Sequence, residues 1–358
     1  MAKTVLLSAG GTGGHLFPAQ ALAQELKPRG WTIHLATDPR AEKYAADFGA
    51  DETHIIRSAT FAGKSPVALA KTLSGLAIGY FASRRLISKV KPDVAVGFGG
   101  YPTVPPLLAA IHKRVPSILH EQNAVLGRAN KFLAPKVNVL ATGFEMREGT
   151  QAHVVTGNPL RKIAHTAGRV PYNPPTAGGT LDFLIFGGSQ GAQFFSQVIC
   201  EAFDLLSPEL RSRIELTMQT REEELERTRA ALDTLGVKAD LSPFFSDMPQ
   251  RIAQSHLVMC RSGASSVSEL ALIGRPSILV PFPTALDDDQ GANAAHLEAE
   301  GGAILIRQKD MSPQRLADLI TDDLQKPEAL AIQAANAKKV GVPDAAVRLA
   351  DLVEAQIS

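Results

Sequence analysis

The sequence predicts an α/β protein built of two doubly wound parallel-sheet domains. Three observations carry that expectation. The chain has 358 residues, long for one hydrophobic core. Apolar runs of strand length alternate with helix-like stretches through both halves, the pattern of a parallel sheet covered by helices. Two glycine-rich turns, Gly10-Gly11-Thr12-Gly13-Gly14-His15 and Gly187-Gly188-Ser189-Gln190-Gly191-Ala192, stand about half a chain apart, each between an apolar run and a helix-like stretch. Strand, glycine turn and helix together aim backbone N–H groups and a helix N-terminus at an anion. A phosphate-bearing ligand between two similar nucleotide-binding-type domains is therefore expected.

In the first half, strands are expected at Val5–Leu7, Ile33–Ala36, Val94–Phe98, Ser117–Leu119 and Val137–Ala141. Between them, Pro66–Lys91 is a long helix candidate. Leu69, Leu73, Leu76, Tyr80 and Ile87 share one face at 3.6-residue spacing. The opposite side carries Val67, Ile78 and Phe81 among Lys71, Arg85 and Lys89, either a solvated face or one suited to an anionic membrane. Turn-rich composition at Gly157-Asn158-Pro159 and Pro171–Gly179 marks a linker. The pattern restarts at Leu181–Phe186 and continues through Ile214–Met218, Leu257–Cys260, Ser277–Val280 and Ala303–Ile306. A last helix after Pro343, with Ala346, Leu349, Ala350 and Val353 at helical spacing, suits docking on a domain face. The expected domains are 1–158 and 159–339, with the helix 340–358 following.

Composition narrows the classes. A net charge of +1 gives no overall field to recruit nucleic acid or membrane, so only a local patch can do so. Cys200 and Cys260 lack metal-ligand spacing and read as buried thiols of a reducing compartment. The N-terminal apolar run is too short for a secretory leader, and no stretch approaches the roughly 18–20 apolar residues that span a bilayer. A cytoplasmic protein able to lie on a surface is expected.

The first glycine turn lets a ligand approach the backbone closely. His15 follows where the helix begins, and it either packs there or takes a proton from an attacking hydroxyl. In the second turn the Ser189 hydroxyl can donate to a phosphate oxygen, and the helix dipole adds about 0.3–1 kcal/mol. A third segment, Cys260-Arg261-Ser262-Gly263-Ala264-Ser265-Ser266-Val267-Ser268-Glu269, again opens a helix after an apolar run. Its small residues suit a diphosphate and Glu269 can accept from both ribose hydroxyls; the alternative is a serine-rich cap with first-turn support. Asp287-Asp288-Asp289 contains a D-x-D, which is either a metal-binding carboxylate pair or a solvated loop. Gly63-Lys64-Ser65 fails the P-loop pattern because position 58 is Ser. Asp38 stands where an NAD ribose partner would, yet neither turn spells G-x-G-x-x-G.

Taken together, these segments resemble the MurG family, the bacterial glycosyltransferases of peptidoglycan synthesis. The resemblance covers nearly the whole chain. It rests on Gly10–His15 with Pro18, Gly99-Gly100-Tyr101, His120-Glu121-Gln122-Asn123, Gly157-Asn158-Pro159-Leu160-Arg161, Gly187–Ala192, Cys260–Ala264 with Ser268-Glu269, and Asp288 to Asn293, all in the family's order. It implies the GT-B architecture, two doubly wound Rossmann-like domains with an interdomain cleft and the C-terminal helix returning to the first domain. The first domain would take the acceptor and the membrane, the second the sugar donor. The implied reaction moves N-acetylglucosamine from its UDP donor to the C4 hydroxyl of the muramyl sugar of lipid I, giving lipid II. Implied partners are UDP-N-acetylglucosamine, lipid I, the anionic inner-membrane surface through 66–91 and other cell-wall synthesis proteins, with no nucleic acid. The implied location is peripheral, on the cytoplasmic face of the inner membrane.

Carried over residue by residue, the resemblance places Thr12, Gly13, Gly14 and Asn123 near the donor sugar and the reacting centre. Arg161, Ser189, Glu269 and Gln290 would hold the uridine diphosphate. His15 would be the base of an inverting displacement, with Glu121 next in line. No cofactor or metal is assigned, since donors fixed in place can do the work a metal does in D-x-D transferases. Leu160 stands where Val is common, and Asp289 where a non-acidic residue is usual, so its carboxylate must face solvent or a cation to spare a diphosphate held by Gln290. Alternatives are another UDP-sugar enzyme of the same fold (an epimerase, or a different acceptor), an NAD-dependent oxidoreductase, and a non-catalytic membrane-bound scaffold.

Overall fold

A computed structural model describes residues 3–11, 13–40, 48–58, 66–146, 151–283 and 286–357, with backbone alone for 66–71, 73, 188–192 and 286. The chain forms two compact units, Met1–Arg161 with Pro343–Ser358, and Lys162–Val342.

In the first unit the order is β1 (Lys3–Ser8), α1 (Gly13–Leu26), β2 (Trp31–Thr37), β3 (Glu52–Ile55), α2 (Pro66–Val90), β4 (Val94–Gly97), α3 (Val104–His112), β5 (Ser117–Glu121), α4 (Arg128–Leu133), β6 (Val139–Thr142) and β7 (Val154–Val155). The strands form a parallel sheet in the order β3-β2-β1-β4-β5-β6-β7. Alternation along β1 sorts its side chains to opposite faces. Val5 and Leu7 pack with Leu16 and Leu22 of α1, while Leu6 packs with Leu86, Val104 and Leu107 on the other face. Helices thus cover both faces, which is why the central strands read as continuous apolar runs.

The second unit repeats the plan. It contains α5 (Lys162–Ala167), β8 (Leu181–Phe186), α6 (Gly188–Leu205), α7 (Pro208–Arg211), β9 (Ile214–Gln219), α8 (Leu225–Thr234), β10 (Lys238–Ser242), α9 (Met248–Gln254), β11 (Leu257–Cys260), α10 (Ala264–Ile273), β12 (Ser277–Leu279), α11 (Asp289–Ala299), β13 (Ala303–Leu305), α12 (Pro313–Gln325) and α13 (Pro327–Val340). Its parallel sheet runs β10-β9-β8-β11-β12-β13. Phe183, Ile185, Leu216, Phe195 and Phe203 build the main core with Leu316 and Ile320 of α12.

The last helix, α14 (Ala345–Glu354), belongs to the first unit. Its Leu349, Ala350 and Val353 enter the core beside Leu16. Arg29 clamps its polar edge, donating to Asp351 at 2.6 Å and Glu354 at 3.0 Å, and Trp31 Nε1 donates to Glu354 at 3.2 Å.

Helix α2 has the two faces its spacing predicts. Ile87 is buried and Tyr80 half-buried, whereas Ile78 is 58% and Phe81 62% exposed beside exposed Arg85 and Lys89. The side chains of Leu69, Leu73, Val67 and Lys71 lie outside the described residues, as do all of Gly63-Lys64-Ser65. Mid-helix Gly79 has a packing reason, because a Cβ there would come 2.2 Å from the Arg57 carbonyl oxygen.

Candidate functional site

Each sheet reverses its winding at one place, between β1 and β4 in the first unit and between β8 and β11 in the second. In open α/β sheets ligands bind beyond the carboxyl ends of the strands at that switch point. Both glycine turns lie there. So do Gly99-Gly100, which follow β4, and Arg261-Ser262-Gly263, which follow β11.

In the first unit, Gly10 packs so tightly that a Cβ would meet Pro102 at 2.9 Å and Asp38 at 3.1 Å. Gly11 turns with φ +83°, and its N–H donates to Asp38 Oδ1 at 3.1 Å. Gly13 leaves room for the Phe17 ring, which a Cβ would approach to 2.8 Å. Thr103 stitches the switch point together, its hydroxyl lying 3.0 Å from the Ser8 carbonyl and 2.6 Å from that of Gly99. His15 is half-buried in this frame, against Gly100. Burial holds its imidazole below the ordinary value, and a hydrogen bond to the Gly10 backbone opposes that shift. The ring is therefore neutral near pH 7, the form that can accept a proton.

Beyond β5, Glu121 and His120 are buried. Glu121 accepts from the Asn123 N–H (3.0 Å), Asn123 Nδ2 (3.1 Å), the Gly127 N–H (2.9 Å) and Asn130 Nδ2 (2.7 Å). Burial raises its carboxyl and these four donors oppose the rise. Both oxygens of Glu121 thus accept hydrogen bonds within the 121–130 segment. Asn123, half-buried, is oriented by it. His120 Nε2 pairs with the Gly157 carbonyl at 3.1 Å and Nδ1 with Gln122 Nε2 at 3.1 Å; burial holds it down at about 4, so it stays neutral.

Arg161, expected in the second domain, falls at the end of the first unit. Its guanidinium carbon sits 3.9 Å from the Phe17 ring centroid, a cation–π contact that ties it to the glycine turn through Gly13. Asp38 is nearly fully buried and bound by Gly11 and by Arg40 (2.7 and 2.6 Å), so it offers no free carboxylate to an NAD ribose. Thr12 and the Ser189 side chain lie outside the described residues.

In the second unit, Gly187 caps α6, and Gly263 caps α10 with nothing within 4 Å of where its Cβ would be. The Ser262 hydroxyl is fully buried at that turn with no hydrogen-bond partner among the described residues. Glu269 is half-buried on α10. Gln290 accepts from the Phe282 N–H at 2.9 Å, which leaves its amide NH2 as the donor. Asn293 Nδ2 donates to the Ser262 carbonyl at 3.1 Å, fastening α11 to the turn.

Two carboxylates of the acidic triplet are committed internally. Asp288 makes a bidentate pair with Arg307, the second contact at 2.8 Å, and Asp289 accepts the Gln290 N–H at 2.8 Å. Asp287 and Asp288 both adopt left-handed backbone, at φ 57° and 55°. The Asp289 carboxylate thus satisfies its own helix start.

Two further residues stand beyond the carboxyl ends of strands in this unit. Arg261 is buried among Phe194, Phe195 and Phe282, donates to the Val280 and Pro281 carbonyls (3.1 and 3.2 Å) and to Gln308 at 2.6 Å, and is pulled down to about 10 by burial. A charged residue directly after an apolar run was its visible signal. Phe244, beyond the carboxyl end of β10, is 71% exposed, and nothing in its local sequence marks it. Cys260 is an inert neighbour, since burial pushes its thiol well up.

Comparison with known proteins agrees with this architecture. The glycosyltransferase family 28 N-terminal domain matches residues 5–142 and its C-terminal domain residues 183–349. The UDP-N-acetylglucosamine--N-acetylmuramyl-(pentapeptide) pyrophosphoryl-undecaprenol N-acetylglucosamine transferase of Sinorhizobium fredii (strain NBRC 101917 / NGR234) is 55% identical over 355 residues, 98% of this chain and 95% of that one. The protein of the same name from Brucella suis biovar 1 (strain 1330) is 54% identical, covering 99% and 94%. The crystal structure of Acinetobacter baumannii MurG matches 99% of both chains with a TM-score of 0.79 at 29% identity. A UDP-GlcNAc 2-epimerase from Neisseria meningitidis, at 14% identity and a TM-score of 0.66 over 98% of this chain and 100% of its own, shares the fold alone. The fold is thus the two-domain parallel-sheet GT-B class, and the chain belongs to glycosyltransferase family 28 and, within it, to the MurG family.

Proposed function

We infer that this protein transfers N-acetylglucosamine from UDP-N-acetylglucosamine to the C4 hydroxyl of the muramyl sugar of lipid I, giving lipid II with inversion at the anomeric carbon. The near-full-length relatives bear the name of that reaction. The observation that carries the chemistry is His15, neutral and fixed between the first glycine turn and Gly100. A neutral imidazole takes the acceptor's proton as its oxygen forms the new bond to the anomeric carbon, and the bond from that carbon to the UDP oxygen breaks on the opposite side.

Negative charge then gathers on the departing diphosphate, where fixed donors serve best. In this reading Ser189 and the N-termini of α6 and α10 meet that charge, with Gln290 and Arg161 adding donors and Glu269 receiving the ribose. Thr12, Gly13, Gly14 and Asn123 lie by the donor sugar. The internal pairing of Asp288 with Arg307 and the capping by Asp289 support a reaction without a carboxylate-bound metal.

The exposed Ile78 and Phe81, ringed by Arg85 and Lys89, suit contact with the anionic inner leaflet, where the lipid acceptor resides. No described helix is long and apolar enough to cross a membrane. Ile78→Glu with Phe81→Glu should release the protein from anionic vesicles, and undiminished vesicle binding would discard that surface. The reaction itself is tested by incubating the protein with labelled UDP-N-acetylglucosamine and a lipid I analogue, with and without chelator. Labelled disaccharide lipid in both tubes is expected; label that never reaches the acceptor would refute the reading.

A further inference from the structure

A second cluster of chemically capable side chains lies at the edge of the first unit's sheet, two strands from β1. His34 on β2 and Glu52 on β3 are register partners, and His54 follows Glu52 by two residues. The period of two along a strand puts all three on one face. His34 Nδ1 lies 3.0 Å from His54 Nε2. The ring centroids are 5.3 Å apart and the planes 11° from parallel, so the rings meet head to head and share one proton in an N–H···N bond. Glu52 closes the group, 3.6 Å from His34 Nδ1 and 3.7 Å from His54 Nδ1. Both histidine side chains are 13% exposed, Glu52 is 47% exposed, and Lys89 Nζ stands 3.6 Å from the Glu52 carboxylate. Burial holds His54 below its ordinary value, which favours the neutral form a metal requires.

We propose that His34, His54 and Glu52 bind one divalent transition-metal ion of the Zn2+ class, which fastens edge strand β3 to β2. Two imidazoles and a carboxylate are borderline donors that select Zn2+, Co2+, Ni2+ or Cu2+ over Mg2+ or Ca2+. Two nitrogens on one zinc, each bonded at about 2.0–2.1 Å, sit about 3.3 Å apart in tetrahedral geometry. The pair therefore needs to part by a few tenths of an ångström, with each ring tilting so that both lone pairs converge on the ion. The ion takes the place of the shared proton, and the donating imidazole carries its N–H on its other ring nitrogen, so no proton need be lost. Lys89 competes with the ion for Glu52, and water fills the fourth position.

The test is a calorimetric titration of the tag-free full-length protein with ZnCl2, with thermal melts beside it. One ion per chain and a raised Tm are expected. Loss of a mere outer-shell partner weakens metal sites about 10–100-fold, so His34→Ala and His54→Ala should weaken binding by at least about tenfold. Lys89→Met should tighten it and Glu52→Gln weaken it, a pair of opposite shifts that a purely structural cluster would not produce. Should the histidine variants fail to fold by circular dichroism, those two substitutions decide. No bound ion in the wild type, undiminished binding in both histidine variants, or affinity unmoved by Lys89→Met and Glu52→Gln would each overturn the proposal.

Discussion

The imidazole of His15 lies against Gly100, where a Cβ would stand 3.3 Å from Cε1 and 3.5 Å from Nδ1. Gly100 also has φ +73° and ψ 164°, a backbone region essentially reserved for glycine. The contact joins the carboxyl ends of β1 and β4 at the switch point and sets where the imidazole can be.

Gly100→Ala should therefore lower both stability, through the backbone strain it imposes, and catalysis. The added methyl pushes the imidazole aside, and misplacement of a reacting group by about 1 Å can cost about 10²-fold in rate. Steady-state kinetics should show kcat down by about that factor with donor KM little changed. Equal kcat in the variant would show that the contact does not position His15.

Glu121 gives a contrasting case. Glu121→Gln turns one acceptor into a donor facing N–H groups, which strands buried donors at about 1–3 kcal/mol. A lower Tm and a raised donor KM are expected, because Asn123 loses its anchor. A base at this position would behave differently, losing kcat at unchanged Tm. Melting curves and kinetics on the same preparation separate the two.

His120 makes stability depend on pH. Its pKa is about 4 in the fold and about 6.5 when unfolded, so between those values the unfolded chain binds more protons. Stability from this group is complete above pH 6.5, declines as pH falls towards 4 and levels off below. The loss is on the order of 3 kcal/mol. Urea unfolding at pH 7, 5.5 and 4 should show a shallower decline in His120→Gln, which keeps a donor and an acceptor without titrating. Parallel curves would assign the acid sensitivity elsewhere.

What could be read from the sequence follows from where information is stored along it. The central strands β1, β2, β4, β5, β8 and β11 are covered on both faces, so each spells itself as an apolar run. The edge strands β3, β7 and β10 were missed because Glu52–Ile55 and Lys238–Ser242 are polar or mixed and Val154–Val155 is two residues long. Polar edges are what an unpaired strand rim requires. The glycine turns were legible since close approach of backbone to neighbours demands glycine at Gly10 and Gly13. Pairings between distant residues were not. The sequence does not show that Gly11 and Arg40 close on Asp38, nor which way the acidic triplet goes, since Arg307 pairs with Asp288 from a distance. Arg161 sits beside Phe17 across a separation no local pattern records.

The central claim is that His15 removes the acceptor's proton. General-base catalysis contributes about 10²–10⁴ in rate. Because burial lowers the His15 pKa, the acid limb of kcat/KM in the wild type should lie below the ordinary value of 6.5, activity being lost as the ring protonates. The most direct measurement is the pH dependence of labelled N-acetylglucosamine transfer to a lipid I analogue by wild type and His15→Ala. We expect the variant to lose about 10²–10⁴ in kcat, to lose the acid limb and to keep its affinity for UDP. Turnover near the wild-type level with the same acid limb would contradict the account.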